Sequence, residues 1–153
     1  GKTSLFKMIL NHEQGINIAS KVKIGYFSQY SFSIKEDMSI LEYMNKDRDE
    51  PESYLRSILH DIGFQANDIS KSLSNLSGGE IMKLVLTRLM MDEYNVLILD
   101  EPTNFLDLES IEVIERLMMS YEGTIIFTCH DTKLVENVAD LVYTIEDKKM
   151  ILR

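Results

Sequence analysis

Residues 95–102 read Asn-Val-Leu-Ile-Leu-Asp-Glu-Pro, an unbroken apolar run that stops abruptly at two acids. A strand that is apolar at every position must be covered on both faces, the situation of a central strand in a parallel sheet packed between helices. The flanking segments fit that setting. Helical spacing is read at 3–10 (Leu5, Phe6, Ile9, Leu10), from Gly78 towards Met91, near 108–119 and at 132–138, and further strands are read at 22–27, 124–128 and 141–145. Strand and helix in alternation predict an α/β fold: a mostly parallel sheet with right-handed crossovers, flanked by helices. Residues 16–18 are expected to pair with 22–27 in a hairpin, and 146–152 to form a second hairpin around Asp147-Lys148. Residues 39–62 have a helical pattern with Tyr54, Ile58, Leu59 and Ile62 on one face. The charged stretch 45–51 suits an exposed loop, and 70–77, rich in Ser and Asn, another.

The 153 residues are enough for one ordinary domain, with one core expected. No apolar run exceeds the four residues 96–99, far below the roughly 18 of a membrane span, so membrane insertion is not expected. The first residues lack the sections of a secretion signal and the single Cys129 has no partner for a disulfide, which points to the cytoplasm. A formal charge of −9 argues against a broad basic face for nucleic acid, so an RNA partner would be held by other segments.

Chemistry-bearing residues occur in a fixed order. Gly1-Lys2-Thr3-Ser4 opens a helix and matches the last part of G-x-x-x-x-G-K-[ST], in which the lysine reaches nucleotide phosphates, the hydroxyl takes Mg²⁺ and the free amides attract anions; a plain helix start is the other reading. Gln29 ends the segment Gly25-Tyr-Phe-Ser-Gln29, placed either for a metal and a water or for an edge hydrogen bond. In Leu76-Ser77-Gly78-Gly79-Glu80, Ser77 and Glu80 have capping-box spacing, yet two glycines in a first helical turn cost about 1 kcal/mol each and suit a backbone approached closely by an anion. Asp100 and Glu101 fall beyond the carboxyl end of the apolar strand, where ligands of open parallel sheets bind; Asp100 suits Mg²⁺ and Glu101 a hydrolytic water, against a simple solvated junction. Residues 103–107 (TNFLD) contain Asp107, a candidate N-cap. His130 follows the strand 124–128 and suits a sensor of terminal phosphate, although a histidine after a strand is commonly unremarkable. Cys129 reads as a packing residue, and His12 and His60 as surface residues.

As a set, GKTS, YFSQ, LSGGE, VLILDEP, TNFLD and CHD resemble the nucleotide-binding cassette of ABC proteins over nearly the whole chain. The resemblance implies a P-loop NTPase-like fold: 1–153 as a partial ABC ATPase domain, with a small helical subdomain at about 36–92 inserted in the α/β core. It implies ATP and Mg²⁺ as cofactors, with Gly1, Lys2, Thr3 and Ser4 in Walker A, Gln29 in the Q-loop, and Ser77, Gly78 and Gly79 in the signature. It further implies Asp100 in Walker B, Glu101 as catalytic glutamate, Asp107 in the D-loop and His130 as switch histidine. Thr3, Gln29 and Asp100 are the implied metal positions. The implied partner is a second cassette, in the same parent chain or in a dimer, whose nucleotide the signature would contact. The DEPTN-x-LD wording and the short stretch between Gln29 and Leu76 are similar to the ABC-F group, which acts on ribosomes in antibiotic resistance or translation. The ATP-binding subunit of a membrane transporter is the alternative. Phe105 departs from the histidine of DEPTNHLD, and Ile81-Met82-Lys83 from the usual run after the signature. Gly1 is read as a truncation point within Walker A, and the 153 residues alone are expected to be inactive.

Overall fold

The structure is a computed structural model that describes residues 1–28, 38–146 and 149–153. Gln29 and the expected turn at Asp147-Lys148 lie outside the described residues. The elements in order are α1 (Lys2–Leu10), β1 (Ile24–Ser28), α2 (Ile40–Asn45), α3 (Glu52–Asp61), a 3-10 turn (Leu73–Asn75), α4 (Gly78–Met90), β2 (Val96–Asp100), α5 (Leu108–Ser120), β3 (Thr124–Thr128), α6 (Thr132–Val138), β4 (Tyr143–Glu146) and β5 (Lys149–Leu152). They form two compact units. The first comprises Gly1–Ser31, Glu93–Asn104 and Glu115–Arg153; the described residues of the second fall within Phe32–Asp92 and Phe105–Ile114.

The first unit is built on a parallel sheet in the order β1-β2-β3. Strand β2 is central, and Leu97, Ile98 and Leu99 are fully buried, as the uninterrupted apolar run requires. Phe6 of α1, Met118 of α5 and Leu134 of α6 are buried in the same unit, so helices supply the cover the sheet needs. The α/β class and the parallel sheet are therefore as the sequence predicts. The register aligns Ser28, Asp100 and Thr128 at the carboxyl ends of the three strands. Glu101 and Cys129, which follow β2 and β3, therefore leave the sheet on that one edge.

Two strand expectations are corrected. Residues 16–18 are not a strand, and β1 pairs in parallel with β2 instead of closing a local hairpin. A three-residue strand satisfies few backbone groups, whereas the buried β2 backbone must find partners along its length. Strand β4 does not extend the parallel sheet: it pairs antiparallel with β5 in a separate two-stranded sheet, with Glu146 opposite Lys149. A connection this short permits only antiparallel pairing.

The second unit is helical, with a core that includes Ile40, Met44, Leu55, Leu59, Ile62, Phe64, Leu73 and Leu84. The pattern at 39–62 resolves into α2 and α3, because Pro51 starts a new helix and disfavours a helical residue before it. The buried face of α3 carries Leu55 and Leu59, while Tyr54, expected there, is half exposed. Ser39 caps α2 in a capping box with Glu42. Between α2 and α3, Arg48 donates to the carbonyls of Met91 at 3.0 Å and Arg88 at 3.1 Å, and Arg88 donates to those of Tyr43 at 2.6 Å and Lys46 at 2.8 Å. These exchanged bonds satisfy the orphan carbonyls at the ends of α4 and α2.

Candidate active site

At the carboxyl edge of the parallel sheet, the chain turns sharply out of β2. Pro102 disfavours a right-handed helical conformation for Glu101. Glu101 takes φ +54, and its carbonyl receives the Asn104 amide at 3.4 Å. A glutamate in the left-handed region costs about 1–3 kcal/mol, and such residues cluster at functional sites.

Two of the sequence-derived residues, Lys2 and His130, converge on the carboxylate of a third, Glu101. Lys2 Nζ lies 3.1 Å from Glu101 Oε1, His130 Nε2 lies 3.3 Å from the same oxygen, and Lys2 Nζ and His130 Nε2 are 3.5 Å apart. The other oxygen, Oε2, is buried and has no hydrogen-bond partner among the described residues. A buried carboxylate oxygen without a donor is costly, which marks it as a place for a further polar group such as a water. The Glu101 side chain is 17% exposed, against 41% for Lys2 and 77% for His130, so the site opens to solvent beside both of its partners.

Asp100 is buried next to this cluster, and its Oδ1 accepts a hydrogen bond from Thr128 Oγ1 at 2.8 Å. The same Thr128 oxygen accepts the Glu101 N–H at 3.0 Å. Thr128 is the site residue that sequence reading missed, and the only available signal was its place at a strand end. Cys129, by contrast, is structural: its sulfur lies 3.3 Å from Thr103 Oγ1 and accepts the Asp131 N–H at 3.2 Å. Asp131 in turn caps α6 through Lys133 and Leu134.

Gly1 is the N-cap of α1 with no side-chain cap, and Lys2, Thr3 and Ser4 form its first turn. The first-turn amides are the free donors that helix starts present to anions. Among the described residues no three His, Cys, Asp or Glu side chains converge as a metal cage. The Asp100 carboxylate and the Thr3 hydroxyl are hard oxygen donors, the chemistry Mg²⁺ takes alongside phosphate oxygens.

In the second unit, Ser77 caps α4. Its hydroxyl accepts the Glu80 N–H at 3.2 Å and its own N–H donates to Glu80 Oε2 at 2.8 Å, so the capping box is formed. The two glycines behind it differ. A Cβ on Gly79 would stand 2.6 Å from Ser110 Oγ, whereas one on Gly78 would meet nothing within 4 Å. The closeness that requires Gly79 is thus internal to the fold, and only Gly78 lacks a packing reason. Asp107 caps α5 as read from sequence: its Oδ1 accepts the Ser110 N–H at 2.8 Å. That bond, with further help from the Lys83 charge, holds the Asp107 carboxyl below its usual range. Phe105 projects into solvent at φ +62.

The family profile described as ABC transporter matches residues 1–104. The chain is 41% identical over 140 residues to the erythromycin resistance ATP-binding protein MsrA of Staphylococcus epidermidis, covering 92% of this chain and 28% of that protein. It spans less than a third of the length of that relative. Among solved structures it resembles the archaeal ribosome recycling factor aABCE1, in complex with stalk protein aP1, with a TM-score of 0.74 at 23% identity over 97% of this chain and 31% of the other. It also resembles a proposed metal-chelate type ABC transporter in an inward-facing conformation, with a TM-score of 0.76 at 22% identity over all of this chain and 67% of the other. Among the described residues no helix is long and apolar enough to cross a membrane. The chain belongs to the ABC transporter family, and its cassette is similar to those of ABC-F proteins.

Proposed function

We propose that this cassette hydrolyses ATP, with Mg²⁺, in an ABC-F protein that acts on the ribosome in antibiotic resistance or translation control. The observation that carries the hydrolytic reading is the Glu101 carboxylate, with one oxygen held by Lys2 and His130 and the other buried and without a partner among the described residues. That arrangement suits a base that takes a proton from water at Oε2 while Oε1 stays fixed. Lys2 and the first amides of α1 bind phosphates, His130 senses the terminal phosphate, and Thr3 and Asp100, with Gln29, hold the metal. Bound Mg²⁺ neutralises charge on the transferring phosphoryl group. Ser77, Gly78 and Gly79 serve nucleotide held by a second cassette, so that two cassettes close around ATP.

The ribosomal reading is supported by the similarity to the resistance protein MsrA, which exceeds in identity the similarity to either solved structure. The transporter-subunit reading is the alternative, supported by the fold shared with the metal-chelate type transporter.

In the full-length protein, Glu101→Gln should keep ATP binding and lower turnover by at least about a hundredfold, the scale of losing a general base. The variant should also trap the closed form on ribosomes in ATP co-sedimentation. Unimpaired turnover removes Glu101 as base, and absence of co-sedimentation with retained ATPase activity favours the transporter reading.

A further inference from the structure

Thr128 is 7% exposed at the end of β3, and its hydroxyl is shared by both acids of the site. A hydroxyl has one proton to give and lone pairs to accept with, and both capacities are used. The donated bond to Asp100 Oδ1, 2.8 Å, fixes the turn of that carboxylate. The accepted bond from the Glu101 N–H, 3.0 Å, holds a residue whose φ of +54 is unfavourable on its own. The oxygen is well directed for this. The strand register sets Thr128 opposite Asp100, and a β-branched side chain has few χ1 choices. Valine would fill nearly the same space in a buried strand without either bond, so the hydroxyl is the feature that packing leaves unexplained.

We propose that Thr128 is a positioning residue of the hydrolytic site, orienting Asp100 and holding the Glu101 backbone in the left-handed turn that brings its carboxylate to Lys2 and His130. The hydrolytic half rests on the ATPase reading above; the geometric half does not.

The test compares the full-length protein with its Thr128→Val and Thr128→Ser variants, and with Thr128→Ala should valine not fold. Without nucleotide, amide hydrogen exchange at Glu101 should be about tenfold faster in Thr128→Val, the scale of one lost buried hydrogen bond, and near the unaltered rate in Thr128→Ser. With ATP, Thr128→Val should lower kcat about tenfold and require more MgCl₂ for half-maximal rate, with KM for ATP nearly unchanged and Thr128→Ser restoring both. Unchanged exchange at Glu101 overturns the proposal whatever the ATPase result. Faster exchange with unaltered kcat and Mg²⁺ dependence overturns it too, because Thr128 is then only structural. If the unaltered protein shows no turnover, the ATPase reading fails and the hydrolytic role with it, while the exchange result still decides the geometric half.

Discussion

Lys2 Nζ lies 3.1 Å from Glu101 Oε1, joining the first turn of α1 to the residue that follows the central strand. The Lys2 side chain is 41% exposed, so solvent screens the pair and its share of stability is small, about 0–1 kcal/mol. Lys2→Met should accordingly shift the thermal midpoint by less than about 4 °C. ATP affinity of the full-length protein should fall at least about tenfold if the lysine has the phosphate-binding role proposed above. Calorimetry and nucleotide titration on the same sample check both halves, and a large melting shift with unaltered affinity would make Lys2 a structural residue.

The contact of Gly79 with Ser110 makes a stability prediction that separates two neighbouring glycines. Alanine at Gly79 must fit a Cβ 2.6 Å from Ser110 Oγ, while Ser110 Cβ stands at 3.4 Å. Overpacking of this kind costs about 1–3 kcal/mol, which exceeds the roughly 1 kcal/mol of helix propensity gained. Gly79→Ala should therefore destabilise, and Ser110→Ala in the same chain should restore much of the loss. Gly78→Ala has open space and should leave stability unchanged or slightly raised. Urea unfolding of these three variants beside the unaltered protein checks this, and a double variant as unstable as Gly79→Ala alone would rule out the packing explanation.

Three carboxyls of the helical unit are held below their usual range. The Ser39 N–H lowers Glu42, the bond from Lys71 and then the Gln65 N–H lower Asp68, and the Ser110 N–H lowers Asp107. Because the folded chain binds these protons less readily than the unfolded one, their contribution is fully present above the unfolded carboxyl range. It is lost as pH falls through the lower folded values. Stability should hold from neutrality to about pH 5 and decline below about pH 4, where unfolded carboxylates begin to take up protons. Glu42→Gln should flatten part of that decline. Urea midpoints across this range are the measurement, and an acid-insensitive midpoint would mean that these caps do not matter.

Much of the site was legible before any coordinates because its chemistry sits in short, ordered segments. Lys2, Asp100, Glu101 and His130 were each singled out beside an identifiable element end, and Lys2, Glu101 and His130 do meet. The capping boxes of Ser77 and Asp107's role at the start of α5 were readable for the same reason, since a cap depends on residues three or four apart. Thr128 was not readable. A threonine at the end of a strand is ordinary, and only its pairing opposite Asp100 gives the hydroxyl two partners. The reason for Gly79 was missed likewise, because Ser110 is distant in sequence.

The sequence by itself determined the α/β alternation, the central place of residues 96–100 and the acids at their carboxyl end, because burial on both faces leaves a continuous apolar signature that needs no partner to be read. Only the tertiary structure decided that β1 joins β2 in parallel. It alone placed one hydroxyl between two acids and left one Glu101 oxygen without a partner among the described residues. Those outcomes depend on which backbone and side-chain groups find each other across long separations, and local periodicity carries no information about that choice.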